Sequence, residues 1–196
     1  MKESRNKIAK LIIVMLVVFC SVFAVTNCKT TTVQAASAST MKKAYRKYIK
    51  KNKHTIKGYS IVKIGPSKKP ALLVVTGSDW KQGNIYYSCK VYYYIGGKVK
   101  FMGSYGGGRP LALYKRNGKY YLWNGNSSDK SYASIKSNRL NVTVYSDSKE
   151  LYYHTEVNTR KTGRSTYKTY TMSKANYSNT IRKYKFYKNI KFQKVY

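Results

Sequence analysis

The sequence predicts a mainly β protein: an antiparallel hairpin meander, as a twisted sheet, an open barrel or a partial propeller-like array, preceded by one amphipathic α-helix. Three observations predict it. A helical apolar stripe occurs near residue 41, where Met41, Ala44, Tyr45, Tyr48 and Ile49 recur at i, i+3, i+4, i+7 and i+8. From Tyr59 onward, β-branched and aromatic runs replace that period. Turn residues such as Gly96-Gly97 and Asn117-Gly118 then punctuate the runs at hairpin spacing.

Ser39 or Thr40 can cap the helix, and Lys42, Lys43, Arg46, Lys47, Lys50 and Lys51 cover its polar face. The late lysines suit the negative helix end and the early ones oppose it. Residues 59–64 and 71–76 read as strands, with Gly65-Pro66 and Pro70 breaking the chain between them. Residues 85–95 form one long aromatic run, turned by Gly96-Gly97 into 98–102. Residues 111–115 and 119–123 make a second hairpin through Arg116-Asn117-Gly118, and 140–145 with 151–157 a third around Ser146-Asp147-Ser148-Lys149. Residues 165–172 alternate as a strand, and 173–183 suit a short helix. The tail alternates loosely through Tyr184, Phe186, Ile190, Phe192 and Val195. It reads as a strand with one buried aromatic face and one solvated lysine face.

The amino terminus reads as a Sec-type signal peptide. Lys2, Arg5, Lys7 and Lys10 precede an apolar run from Leu11 to Val25, and Val33-Gln34-Ala35 suits cleavage after Ala35. The alternatives are an uncleaved anchor, for which the run is short of the ~18 residues a spanning helix needs, and a lipoprotein. Asn27 and Phe19, before Cys28 and Cys20, stand where a lipobox wants a small residue. The organisation is therefore 1–35 as signal peptide, 36–58 as a segment with the basic helix, and 59–196 as the β domain, with no transmembrane span in the mature form. Cleavage leaves Cys89 as the single cysteine, so no intramolecular disulfide can form. Its strand setting reads as a small buried hydrophobe.

Two stretches and the whole pattern carry resemblances. Residues 61–75, Ile-Val-Lys-Ile-Gly-Pro-Ser-Lys-Lys-Pro-Ala-Leu-Leu-Val-Val, resemble the strand–loop–strand of FG-GAP/VCBS-type repeats. Such repeats imply a calcium loop, but this loop holds no aspartate and Ala71 stands where the acid belongs, so the resemblance implies a lost metal site. Trp80-Lys81-Gln82-Gly83 and residues 117–122 are similar to the aromatic hairpins of choline- or glucan-binding wall repeats, without their regular tryptophan period. The whole chain resembles small basic secreted proteins of Gram-positive anaerobes, which implies an address rather than a role.

No catalytic motif is found, and no cofactor or metal site is expected. The five acids after residue 35 are Asp79, Asp129, Asp147, Glu150 and Glu156, mostly in turns, where each reads as a partner for one of 34 cations. His54 and His154 sit in no ligand cluster. A hydrolase would have to assemble its site from scattered residues, for example Cys89 with His154. The Gly106-Gly107-Gly108-Arg109 loop lacks the P-loop ending and reads as a flexible connection.

Charge gives the functional expectation. The full chain carries net +33, and the part after residue 35 holds 34 basic and five acidic side chains. A field of this size attracts polyanions. The expected contacts are Lys42, Lys43, Arg46, Lys47, Arg109, Arg182, Lys183, Lys185, Lys188, Lys191 and Lys194. The expected partner of such a module, secreted or retained at the wall, is anionic cell-wall polymer or an anionic lipid surface. Nucleic acid is disfavoured because no binding motif supports it. The other reading is an interaction or inhibitor module for an extracellular partner.

Overall fold

The computed structural model describes residues 36–66, 69–79, 81–148, 151–159 and 165–196. The signal segment, Trp80 and Glu150 lie outside the described residues. Helix α1 spans Ala38–Lys51 and α2 spans Lys174–Arg182. The strands are β1 Ile56–Lys63, β2 Pro70–Thr76, β3 Lys81–Gln82, β4 Ile85–Tyr86, β5 Ser88–Ile95, β6 Lys98–Gly106, β7 Ala112–Arg116, β8 Lys119–Gly125, β9 Asp129–Lys136, β10 Arg139–Ser148, β11 Leu151–Thr159, β12 Ser165–Met172, β13 Lys185–Asn189 and β14 Gln193–Lys194. The expected antiparallel, mainly β architecture behind one helix is present, as open sheets rather than a closed barrel.

Sheet 1 runs β14-β1-β2-β5-β6, sheet 2 runs β12-β11-β10-β9-β8-β7-β13, and β3-β4 form a small separate hairpin. Sheet 2 is a meander from β7 to β12, closed at its far edge by β13. The Gly96-Gly97 and Asn117-Gly118 turns have positive φ at both central residues, the geometry that matches strand twist in a tight hairpin.

The stripe on α1 buries Met41, Tyr45 and Ile49 against sheet 1. Burying each such side chain contributes about 1.5–3 kcal/mol. The Tyr45 hydroxyl donates to the Pro70 carbonyl at 2.9 Å and accepts from the Tyr94 N–H at 3.1 Å, so its polar end is satisfied inside the core. The cap is Ser37, whose Oγ accepts from the Thr40 N–H at 3.1 Å. It replaces the expected Ser39 or Thr40, both of which fall within the first helical turn.

Sheet 2 covers the other face of sheet 1, and Tyr105 of β6 donates to the Ser131 carbonyl of β9 at 2.7 Å across the interface. Strand β2 is therefore buried from Pro70 to Val75 on both faces, which explains its unbroken apolar run. The outer face of sheet 2 carries a second core of Tyr132, Tyr145, Tyr177 and Tyr184, roofed by α2. Tyr132 and Tyr184 stack at 3.7 Å between centroids. Burial first, then Tyr145, pushes the Tyr184 hydroxyl up to about 12. The layers run α1, sheet 1, sheet 2, α2.

Two devices lock the sheets. Beyond Leu122↔Ala133, β8 and β9 have no further paired positions, and Gly65 enters there, donating its N–H to the Tyr120 carbonyl at 2.6 Å. The other device is the glycine loop, read as a flexible connection but in fact pinned. Asn124, 1% exposed, donates through Nδ2 to the Tyr87 carbonyl at 3.1 Å and to the Arg109 carbonyl. Gly106 and Gly107 are needed because a Cβ there would strike Ser88 and Asn124. Asn124→Ala strands the Arg109 carbonyl and leaves the Tyr87 carbonyl to the Gly107 N–H alone, and we expect a loss of about 2 kcal/mol in denaturant unfolding.

Other corrections concern strand limits. The run 85–95 divides into β4 and β5 at Tyr87, whose carbonyl accepts from Gly107 and Asn124 instead of continuing one ladder. Strand β9 was not expected from the sequence. The tail's aromatic face is not buried along β13, where Phe186 and Tyr187 are 58% and 49% exposed. Only Tyr184 before it is in a core, with Ile190, Phe192 and Val195 half-buried after it.

Candidate functional site

A groove runs along the open side of the two sheets, where β1 faces β13 and the C-terminal segment. Its largest hollow, about 570 Å³, is lined by Ser60, Ile61 and Val62 of β1, by Leu113, and by residues 186–191. A second, about 270 Å³, shares Ile61, Val62, Tyr187 and Lys188 and adds Lys63 and Tyr120. A third, about 250 Å³, continues from Ser60, Ile61 and Lys191 to Lys42, Arg46, Tyr59 and Gln193. A fourth, about 330 Å³, carries the path past Arg46 and Tyr59 to Lys50, Lys53 and Tyr196.

Each element supplies its side chains for a local reason. On α1, Lys42, Arg46 and Lys50 follow one another at i, i+4 and i+8, a ridge beside the buried stripe, and Lys53 extends it from the turn after the helix. On β13, the register shifts between Phe186 and Lys188, so Tyr187 is an extra, unpaired residue. A bulge of this kind places two consecutive side chains on one side of the strand. Phe186 meets Tyr114 of sheet 2 at 5.7 Å and borders the largest hollow, and Tyr187 and Lys188 together line both that hollow and the second. Tyr187 packs against Tyr120 at 5.0 Å, and the Lys188 ammonium stands 5.4 Å from the centre of the Tyr187 ring.

The electrostatics are one-sided. Lys42, Arg46, Lys50, Lys53, Lys63, Lys188 and Lys191 line the groove, and no acidic side chain is among its described lining residues. A concave cationic surface focuses field and raises the local concentration of anions. Tyr59, Tyr120, Tyr187 and Tyr196 add flat ring surfaces. The arrangement suits an anionic chain.

Of the residues expected from sequence, the structure brings together Lys42, Arg46, Lys188 and Lys191. Seven do not line the groove. Lys43 and Lys47 are exposed elsewhere on α1. Arg109 is held in the pinned glycine loop. Arg182 bonds Asn179 at the end of α2, and Lys183 caps that helix. Lys185 pairs with Lys115 and Lys194 with Gly58 in their strands. Lys50, Lys53 and Lys63 were not singled out. The helical spacing carried the signal for Lys50, but Lys53, in the turn beyond α1, and Lys63 depend on tertiary placement.

The scattered catalytic candidates are also placed. Cys89 is fully buried in sheet 1, and burial pushes its thiol well above the usual range, away from a reactive thiolate. His154 lies on the α2 side of sheet 2, stacked on Tyr170 at 4.8 Å and 4.0 Å from Glu156. Cys89 and His154 thus belong to different layers. Asp79 accepts from Thr76 and Ser88, and Asp129 from Asn126, so both carboxylates serve turns. Among the described residues no group of three His, Cys, Asp or Glu side chains could hold a metal, and no helix is long and apolar enough to cross a membrane. Comparison with protein-family models, curated proteins and solved structures yields no match.

Proposed function

We propose that the chain is an exported, non-catalytic binding module that holds an anionic cell-wall polymer in the groove between α1, β1 and the C-terminal segment. The observation that carries this is the lining: seven cations and four tyrosines on a continuous concave path without a described acid. The leader sequence supports the extracytoplasmic address. The concave shape favours a chain over a bilayer, since an interfacial helix inserts an apolar face. Here the apolar face of α1 is occupied by the core. Polymer phosphates would meet the ammonium and guanidinium groups, while the tyrosines pack against the carbon skeleton between charges.

Retention on isolated walls, measured as salt is raised, tests the reading. Screening shortens from about 10 Å at 0.1 M to about 3 Å at 1 M salt. The protein should elute steeply across that range and bind poorly to walls stripped of their phosphate polymer. Retention unchanged at about 1 M salt, or equal on stripped walls, overturns it.

A further inference from the structure

Four strands form sheet edges: β14 and β6 in sheet 1, and β12 and β13 in sheet 2. Exposed edges template further strands, and proteins blunt them with shortness, bulges or charge. Strand β14 has two residues. Strand β6 pairs across a register shift and carries Lys98 and Lys100. Strand β13 has the Tyr187 bulge and carries Lys185 and Lys188. Strand β12 is different. Its eight residues pair with β11 in unbroken register from Thr159↔Ser165 to Tyr152↔Met172. It contains no proline or glycine, and no described strand lies on its outer side. Tyr167 and Tyr170 are 68% and 43% exposed. The strand is regular, β-prone and open.

The geometry points to β12 as a docking edge for an extended peptide segment of another protein that carries a carboxylate at its centre, added as one more antiparallel strand of sheet 2. Lys168 decides the occupant. It is the only charged residue of β12 and sits near its middle. On the inner side it faces Glu156 of β11. A second copy of this chain, paired antiparallel about the strand centre, would set Lys168 beside its own counterpart and join two bodies of the same strong positive charge. Like charges opposed on neighbouring strands destabilise the pairing, and opposite charges support it. One lysine on an otherwise permissive edge therefore rejects self-addition and accepts an acidic strand. Main-chain bonds supply affinity in this mode, and the facing side chains supply the choice of partner.

The test is hydrogen exchange of the full chain with and without acetyl-Thr-Thr-Val-Glu-Val-Thr-Thr-amide. Salt of about 0.3 M keeps screening between about 3 and 10 Å and weakens non-specific attraction. Slowed exchange confined to residues 165–172 is expected. The same peptide N-methylated at alternate residues should give none. Lys168→Glu should weaken binding about five-fold, and replacing the peptide's glutamate with lysine should restore it in that variant. The proposal is overturned by equal binding of the N-methylated peptide or by a Lys168→Glu variant that binds unchanged. It is equally overturned by protection in residues 186–191 instead, or by a free protein that is already dimeric in light scattering with its β12 amides protected. Wall retention reads other residues, so failure here leaves the groove reading standing.

Discussion

Gly65→Ala is expected to lower stability by about 3 kcal/mol, a fall in Tm of about 10 °C for a domain of this size. Two costs combine. The backbone at Gly65 has φ +90°, where an L side chain is strained by about 1–2 kcal/mol. A Cβ there would also stand 2.5 Å from the Ile135 carbonyl oxygen. That oxygen is backbone in the opposing sheet and has no rotamer through which to retreat, so the chain must back out of the gap between β8 and β9. The bond to Tyr120 stretches with it. Gly118→Ala provides the comparison. Gly118 has φ +72° and open space around it, so only the conformational cost applies, about 1–2 kcal/mol. Thermal unfolding followed by circular dichroism separates the two, and equal losses would mean that the wedge between the sheets contributes nothing.

Reversing two groove charges, Arg46→Glu with Lys191→Glu, is expected to weaken binding to anionic wall polymer about 100-fold, near ten-fold per site. Each change removes an attraction and adds a repulsion within the same concave surface. Both side chains are exposed, so folding should be little affected. The matched control is Lys43→Glu with Lys47→Glu, which makes the same net charge change on α1 but outside the groove. If the whole-molecule field alone drives binding, the two double variants weaken it equally. If the groove is the site, the first loses far more affinity and shows a shallower salt dependence. Co-sedimentation with isolated walls over a salt series measures both.

Much of this architecture was legible in the sequence where a short-range rule decided it. The stripe of Met41, Tyr45 and Ile49 follows the helical period, and the hairpin turns at Gly96-Gly97 and Asn117-Gly118 follow from the conformations that those residues tolerate. Strand β9 escaped notice because Asp129-Lys-Ser-Tyr-Ala-Ser-Ile-Lys136 has few large apolar residues. Its burial comes from being central in a sheet with cores on both sides, at Ala133 and Ile135 on one and at Tyr132 on the other. The glycine loop misled for a related reason. Three glycines read locally as freedom, whereas here they make room for close backbone approach and the buried Asn124 amide. The groove was half legible. Basic residues were countable, but which of them share a surface depends on how α1 and β13 flank β1, two segments far apart in sequence.

The bulge on β13 has an evolutionary consequence. What the groove displays along this strand is fixed by residue count as much as by residue identity. Deleting the one extra residue would restore strict alternation, turning one of two neighbouring groove side chains toward the tyrosine face on the far side of the sheet. A single-codon loss could thereby strip a cation or an aromatic ring from the groove with no other change in composition. Divergent copies of such a chain would then differ in ligand preference through their alignment gaps at this strand, where a comparison of substitutions alone would see nothing.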